Sequence, residues 1–239
     1  MISKLVRARE GVKAQMVAMP VEHRTYGQAC PVAHALDLIG ERWALLVIRE
    51  LRLGPRRYAD LQSALPAISP SVLAHRLRGL ELAAVVRKRT LAAPIRAQLY
   101  DLTPWGADLE PVFAALASWG SRSPHAPLTG DLSDDTVMLG LRTFFRAGPA
   151  QWSTTFQIHL EHESYHLRVR RGRLVELARA EPPGPVDAVI TTNRNVLQAL
   201  LTGAHDTASA RAMGQLSSTG DNAAVDNLLA AVAGSAGSR

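Results

Sequence analysis

Apolar residues recur at helical spacing from Pro31 onward: Val32, Leu36 and Ile39, then Trp43, Leu46, Val47 and Leu51. Gly40 divides this run into two short helices, and Leu53-Gly54-Pro55 ends the second, with Gly and then Pro past the last periodic position. A third short helix spans 57–65 on Tyr58, Leu61 and Leu65, and Pro66 closes it. Ser69-Pro70 opens a fourth: serine caps, and proline takes the first helical position, where a missing N–H costs nothing. Leu73, Leu77 and Leu80 form its buried stripe, Ser71, His75, Arg78 and Gly79 lie on the opposite face, and Arg76 is at the border. Residues 85–90 and 98–102 pattern as two strands, with Ala92-Ala93-Pro94 in the turn between them. Thr103-Pro104 repeats the cap-then-proline start. The helix that follows, to about Trp119, is apolar over a wide face: Trp105, Leu109, Val112, Phe113, Leu116 and Trp119. A small unit cannot hide that face alone, which predicts a two-fold contact with a second copy.

Residues 120–130 (GSRSPHAPLTG) read as a linker, and beyond them the periodicity changes. After one helix over 136–146, residues 152–160 alternate with apolar side chains at every second position, as do 164–170. Arg171-Gly172 makes a turn into a third strand over 173–180. A fourth strand over 186–192, a helix over 196–201, a short strand over 214–218 and a helix over 222–232 complete the pattern. The expected organisation is a flexible tail (1–25), a helical unit with a hairpin (26–121), a linker (122–130) and an α+β domain (131–234). Met16 and Met19 offer further start positions within the tail.

Charge divides the chain in the same place. Residues 1–125 hold 17 Lys/Arg and 10 Asp/Glu, whereas 126–239 hold 10 and 11. Within 42–96 the count is eleven against three, an excess that suits a polyanion such as double-stranded DNA. The hydrophobic and charged fractions, 47% and 20%, fit a soluble globular protein. A single cysteine, Cys30, rules out an internal disulfide framework and fits a reducing cytoplasm. No apolar run reaches the roughly 18–20 residues that span a bilayer. His159, His162 and His166 are close in sequence, but the first and last point away from the apolar strand face, His162 sits in the turn, and no acid stands at firm ligand geometry with them, so no metal is expected. Neither nucleophile-elbow nor phosphate-loop glycines are present, which argues against an enzyme, and no cofactor is expected.

The segments CPVAHALDLIGERW, LLVIRELRLGPRRYADL, ISPSVLAHRLRGLE and LTPWGADLEPVFAALASWG, with their spacing, resemble the HxlR-type branch of winged helix-turn-helix transcriptional regulators. The resemblance implies a DNA-binding homodimer whose ISPSVLAHRLRGLE helix enters the major groove, and a family in which some members sense oxidants or electrophiles through a cysteine near Cys30. The second half, through its alternating strands, DAVITTNRNVLQALLTG and GQLSSTGDNAAVDNLLAAV, is similar to the sterol carrier protein 2 fold, which implies room for an apolar ligand. The expected fold class is therefore α+β: a winged helix-turn-helix domain followed by an SCP2-like domain.

On this reading Ser69, Ser71, His75 and Arg78 face DNA bases, and Arg76 contacts phosphate. Arg56 and Arg57 at the third helix, and Arg87, Lys88, Arg89 and Arg96 around the hairpin turn, supply further cations. Trp152, Phe156, Ile158, Tyr165 and Leu167 would line an apolar ligand site. Cys30, ahead of a helix N-terminus, is placed to favour thiolate. Two alternatives stand beside the regulator: a lipid or small-molecule carrier with an accessory dimerising domain, and a regulator switched by oxidation at Cys30.

Overall fold

The computed structural model describes residues 25–90, 97–125, 130–161 and 163–233. The first half runs α1 (Pro31–Ile39), α2 (Ala44–Leu51), β1 (Arg56–Arg57), α3 (Tyr58–Ala64), α4 (Pro70–Leu82), β2 (Val86–Thr90), β3 (Gln98–Leu102), α5 (Pro104–Ala107) and α6 (Glu110–Gly120). Its strands pair in the order β1-β3-β2, all antiparallel. One apolar cluster, including Val47, Ile48, Leu61, Leu73, Leu77, Leu80 and Val86, holds the helices on this small sheet. Gly40 closes α1 because a Cβ there would stand 2.5 Å from the Leu36 carbonyl oxygen. Trp43 then starts α2 from a left-handed conformation (φ 77°), with the Arg42 guanidinium over its ring.

The expected long helix from Pro104 is broken into α5 and α6. Gly106 lies so close to Val85 that a Cβ would meet its carbonyl oxygen at 2.1 Å, which pins α5 to the sheet. Pro111 cannot continue a helix from α5, so α6 restarts at Glu110. The break also corrects the expected apolar face. Phe113 is buried in the cluster beneath the Arg52 guanidinium, 4.5 Å from its ring centroid, and Leu109 is half-buried there. Trp105, Val112, Leu116 and Trp119 stay exposed, Trp119 at 74%.

The second half runs α7 (Asp134–Phe144), β4 (Thr154–Leu160), β5 (Glu163–Arg170), β6 (Arg173–Ala178), β7 (Ala188–Thr192), α8 (Arg194–Thr202), α9 (Thr207–Ala212), β8 (Ser217–Gly220) and α10 (Asn222–Val232). The five strands order β6-β5-β4-β7-β8, with β4 and β7 parallel and the other pairs antiparallel. Alternation in β4 places Phe156, Ile158 and Leu160 against α7, α8 and α10 in one cluster. Helix α9 escapes the periodicity reading because TASARA carries no apolar repeat; Asp206 caps it by accepting from the Ser209 N–H at 2.8 Å. β8 begins three residues later than expected, since Gln215 still bonds back to Ala210, and it ends on Gly220, where a Cβ would strike the Asp187 carbonyl oxygen.

The same cluster overturns the expected ligand lining. Phe156, Ile158, Tyr165 and Leu167 are at most 1% exposed and pack on one another's neighbours as core. Only Trp152 reaches the surface, where it lines a cleft with Arg146, Gly148, Asn227 and Ala231 and stacks on Phe145.

The two halves meet through buried charge. Leu53, from the loop after α2, is a member of the second half's apolar cluster. The Arg179 N–H donates to the Leu53 carbonyl at 2.7 Å, and its guanidinium donates to the carbonyls of Gly54 and Pro55, each at 2.9 Å. Asp135, fully buried in the first turn of α7, accepts from Arg179, from Arg56 at 3.0 Å and from the Tyr165 hydroxyl at 2.7 Å. Burial opposes the Arg56 charge, and Asp135, Glu50 and Glu163 more than restore it. Burial and the Asp135 carboxylate raise the Tyr165 phenol far above its usual value, so it stays a neutral donor. Ser133, which caps α7, also donates to Glu50 at 3.2 Å. On the rim, Glu110 accepts two bonds from Arg52, at 2.6 and 2.9 Å, and faces Arg142 of α7.

Asp135→Ala leaves two guanidiniums buried without their shared carboxylate, and its expected cost is about 3–5 kcal/mol. Urea unfolding measures it; a loss below about 1 kcal/mol would contradict the role given to this carboxylate. Burial raises the Glu110 carboxyl, but Arg52 and Arg142 outweigh that and hold it below its ordinary value of 4.5. Its contribution is therefore present above that pH and lost as pH falls through the lowered folded value. Stability measured from pH 7 to 3 should fall less steeply for Glu110→Gln than for the unsubstituted chain.

Candidate nucleic-acid interface

Helices α3 and α4 are joined by a short turn that two side chains brace. The Tyr58 hydroxyl donates to the Pro70 carbonyl at 2.7 Å, and the Gln62 amide donates to that of Ile68, also at 2.7 Å. Ser69 caps α4 by accepting from the Val72 N–H, and its hydroxyl lies 3.2 Å from that of Ser71. Leu73, Leu77 and Leu80 bury the inner face, so Ser71, His75 and Arg78 emerge together on the outer one. Neither His75 nor Arg78 has a hydrogen-bond or ion-pair partner among the described residues, which leaves their polar atoms available to a base edge. Arg57, exposed at the start of α3, adds a cation on the same two-helix unit.

Other cations stand elsewhere than expected. Arg56 is buried beneath the second half, bound to Asp135 and to the Glu50 carbonyl, so it cannot reach a phosphate. Arg76 turns toward the α1–α2 loop, where it pairs with Glu41, and burial lowers its pKa. In the hairpin, Arg87 and Arg89 remain half-exposed but share one acceptor, Asp101, at 2.9 and 3.2 Å. Lys88 points to the other face, over the Tyr100 ring, and pairs with Glu81 at 2.9 Å. Arg96 lies outside the described residues, as does His162. The acids Glu41, Glu81 and Asp101 were thus missed as partners. Asp101 sits directly opposite Arg87 in the β2–β3 register, a pairing visible only once that register is known.

Cys30 is exposed at the N-terminus of α1, and the Ala33 and Val32 N–H groups lower its thiol pKa. Val32 and Leu36 on α1 are exposed as well, and an apolar cleft of ≈ 220 Å³ lies between α1 and the α5–α6 junction, lined by Leu38, Ile39, Trp105 and Leu109. Among the described residues, no helix is long and apolar enough to cross a membrane, and no three metal-ligating side chains converge.

Residues 38–126 match the model of the HxlR-like helix-turn-helix family, and residues 146–235 match the alkyl sulfatase C-terminal family. Over 96 residues the chain is 38% identical to the uncharacterized HTH-type transcriptional regulator sll1512 of Synechocystis, covering 40% of this chain and 70% of that one. Over 94 residues it is 34% identical to the HTH-type transcriptional regulator YodB of Bacillus subtilis, covering 39% and 84%. The solved structure of reduced YodB aligns with a TM-score of 0.38 at 32% identity, covering 41% of this chain and 97% of that one.

Asp101→Asn should release Arg87 and Arg89 from their shared acceptor. Affinity for a duplex of arbitrary sequence is then expected to rise about threefold to tenfold at low salt, with a steeper salt dependence. Fluorescence anisotropy at several salt concentrations measures both; unchanged affinity and slope would place these arginines away from the duplex.

Proposed function

The chain belongs to the HxlR-like helix-turn-helix regulators of transcription, and we propose that it binds its operator as a homodimer with one α4 helix in each of two major grooves. The carrying observation is the outer face of α4: Ser71, His75 and Arg78 exposed side by side on a helix whose other face is locked in the core. Arg78 suits a bidentate bond to guanine, and Arg57, Arg87 and Arg89 suit flanking phosphates. The apolar side chains of Trp105, Val112, Leu116 and Trp119, left uncovered by the monomer, support pairing of two copies. A two-fold axis then sets half-sites about 34 Å apart. The protein works where the DNA is, in the cytoplasm.

The second half is read as a non-catalytic support rather than an enzyme or a carrier. Its buried polar groups, Asp135 and Tyr165, are engaged with Arg56 and Arg179, and its apolar centre is filled by its own side chains. That packing removes the motive for a sensing site lined by Phe156, Ile158, Tyr165 and Leu167. A switch at Cys30 is favoured by one observation, the exposed thiol whose pKa two helix N–H groups lower. Cys30→Ser is expected to keep DNA affinity and to lose any response to oxidants.

Anisotropy on duplexes tiled across the region upstream of its own gene, with a scrambled control, tests the operator reading. One tile should bind at least about a thousandfold tighter than the scramble. Arg78→Ala should remove about 1–3 kcal/mol of that discrimination. Equal binding to every tile would count against a nearby operator. Leu116→Glu combined with Trp119→Glu should yield a monomer in sedimentation velocity; a dimer that survives both changes would move the interface elsewhere.

A further inference from the structure

The second half is near neutral, yet its charge is sorted. Asp131, Asp134, Asp135, Glu161 and Glu163 gather at the start of α7 and the β4–β5 turn, facing the first half, where all but Asp135 line a cleft with Asp60 and Arg56. Arg168, Arg170, Arg171 and Arg173 gather at the opposite end, around the β5–β6 turn. Arg168 pairs with Glu176 at 2.6 Å. Arg170, Arg171 and Arg173 are exposed and form no ion pair among the described residues.

The turn that carries them is built against local preference. Arg170 and Arg173 close the ladder, and both residues between them have positive φ, 50° at Arg171 and 71° at Gly172. A two-residue turn of this kind favours Asn-Gly, because a long side chain at the first position is strained in the left-handed region. Three bonds nonetheless fix it: Gly148 N–H to the Gly172 carbonyl (2.8 Å), Gly172 N–H to the Trp152 carbonyl (2.7 Å) and Arg171 N–H to the Ser153 hydroxyl (3.1 Å). A Cβ on Gly172 would meet the Gly148 carbonyl oxygen at 2.2 Å. The result is a rigid tip that displays three unpaired guanidiniums, one of them at a conformational cost.

We infer that the β5–β6 tip is a second DNA contact, in which Arg170, Arg171 and Arg173 meet phosphates of the duplex flanking the operator. The inference rests on the reading of this chain as a DNA-binding regulator. Three donor-rich, delocalised cations displayed on one exposed turn suit a phosphate backbone. Strand β6 sets the tip about 20 Å beyond the Leu53–Arg179 junction, a distance that duplex flanking the operator, and not the operator itself, would have to cover.

The test compares two duplexes centred on the best-binding tile, about 16 and about 40 base pairs long, across a salt series. The unsubstituted chain should bind the longer one about tenfold more tightly and with a steeper slope. The triple variant Arg170→Ala, Arg171→Asn, Arg173→Ala should lose that length increment, reduce the slope by about 2–3 per chain, and bind the short duplex unchanged. Arg171→Asn alone should raise Tm, because Asn fits the turn, while weakening binding to the long duplex; a merely structural arginine would not move the two readouts in opposite directions. Equal affinity and slope for variant and unsubstituted chain on the long duplex would overturn the inference. So would a variant that weakens the short duplex to the same degree. Phosphate contacts ignore sequence, so the comparison runs equally on scrambled duplexes, and failure to discriminate sequences there counts against the operator reading alone.

Discussion

A single carboxylate, Asp135, holds the arrangement together. It is fully buried, and it accepts from two guanidiniums that belong to different parts of the chain, Arg56 at the foot of α3 and Arg179 at the end of β6. A charge with so little water around it is tolerable only because both oxygens are engaged, one of them by Tyr165 from within the second half's core. Each of these groups would be costly alone. Their mutual dependence makes the junction specific: remove one and the others are left buried without a partner.

That junction bears on how DNA is met. Arg56 is followed immediately by α3, and α3 is braced through Tyr58 and Gln62 to the turn that starts α4. A path of direct bonds thus runs from the five-stranded sheet to the base of the helix whose outer face carries His75 and Arg78. Leu53, inserted into the apolar cluster of the second half, and Glu110, bridging Arg52 and Arg142, reinforce it on either side. The second half is therefore a fixed platform bonded directly to the helix-turn-helix unit.

Much of this was legible along the chain because it rests on local rules. Ser69-Pro70 and Thr103-Pro104 announce helix starts by capping chemistry, and the alternation through Phe156, Ile158 and Leu160 announces a strand with one buried face. The exposed face of α4 followed from the spacing of Leu73, Leu77 and Leu80. What escaped depends on residues distant in sequence. Arg56 looks like a free cation beside Arg57, and nothing nearby discloses Asp135, seventy-nine positions on. The cations at 76, 87 and 88 looked free for the same reason, since their acids come from other elements. An aromatic set in alternating strands suits an open pocket or a filled core equally well, and only packing decides in favour of the core.

Native-state hydrogen exchange on the Arg179→Met chain tests the fixed platform most directly. Met fills volume without charge, so any effect on the first half must pass through the lost bonds to Asp135, Gly54 and Pro55. If the junction governs the helix-turn-helix unit, amides of β1 and α3 lose protection by about tenfold or more although the substitution lies in the other half. Loss of protection confined to α7 and the five-stranded sheet, with β1 and α3 unchanged, would contradict the account.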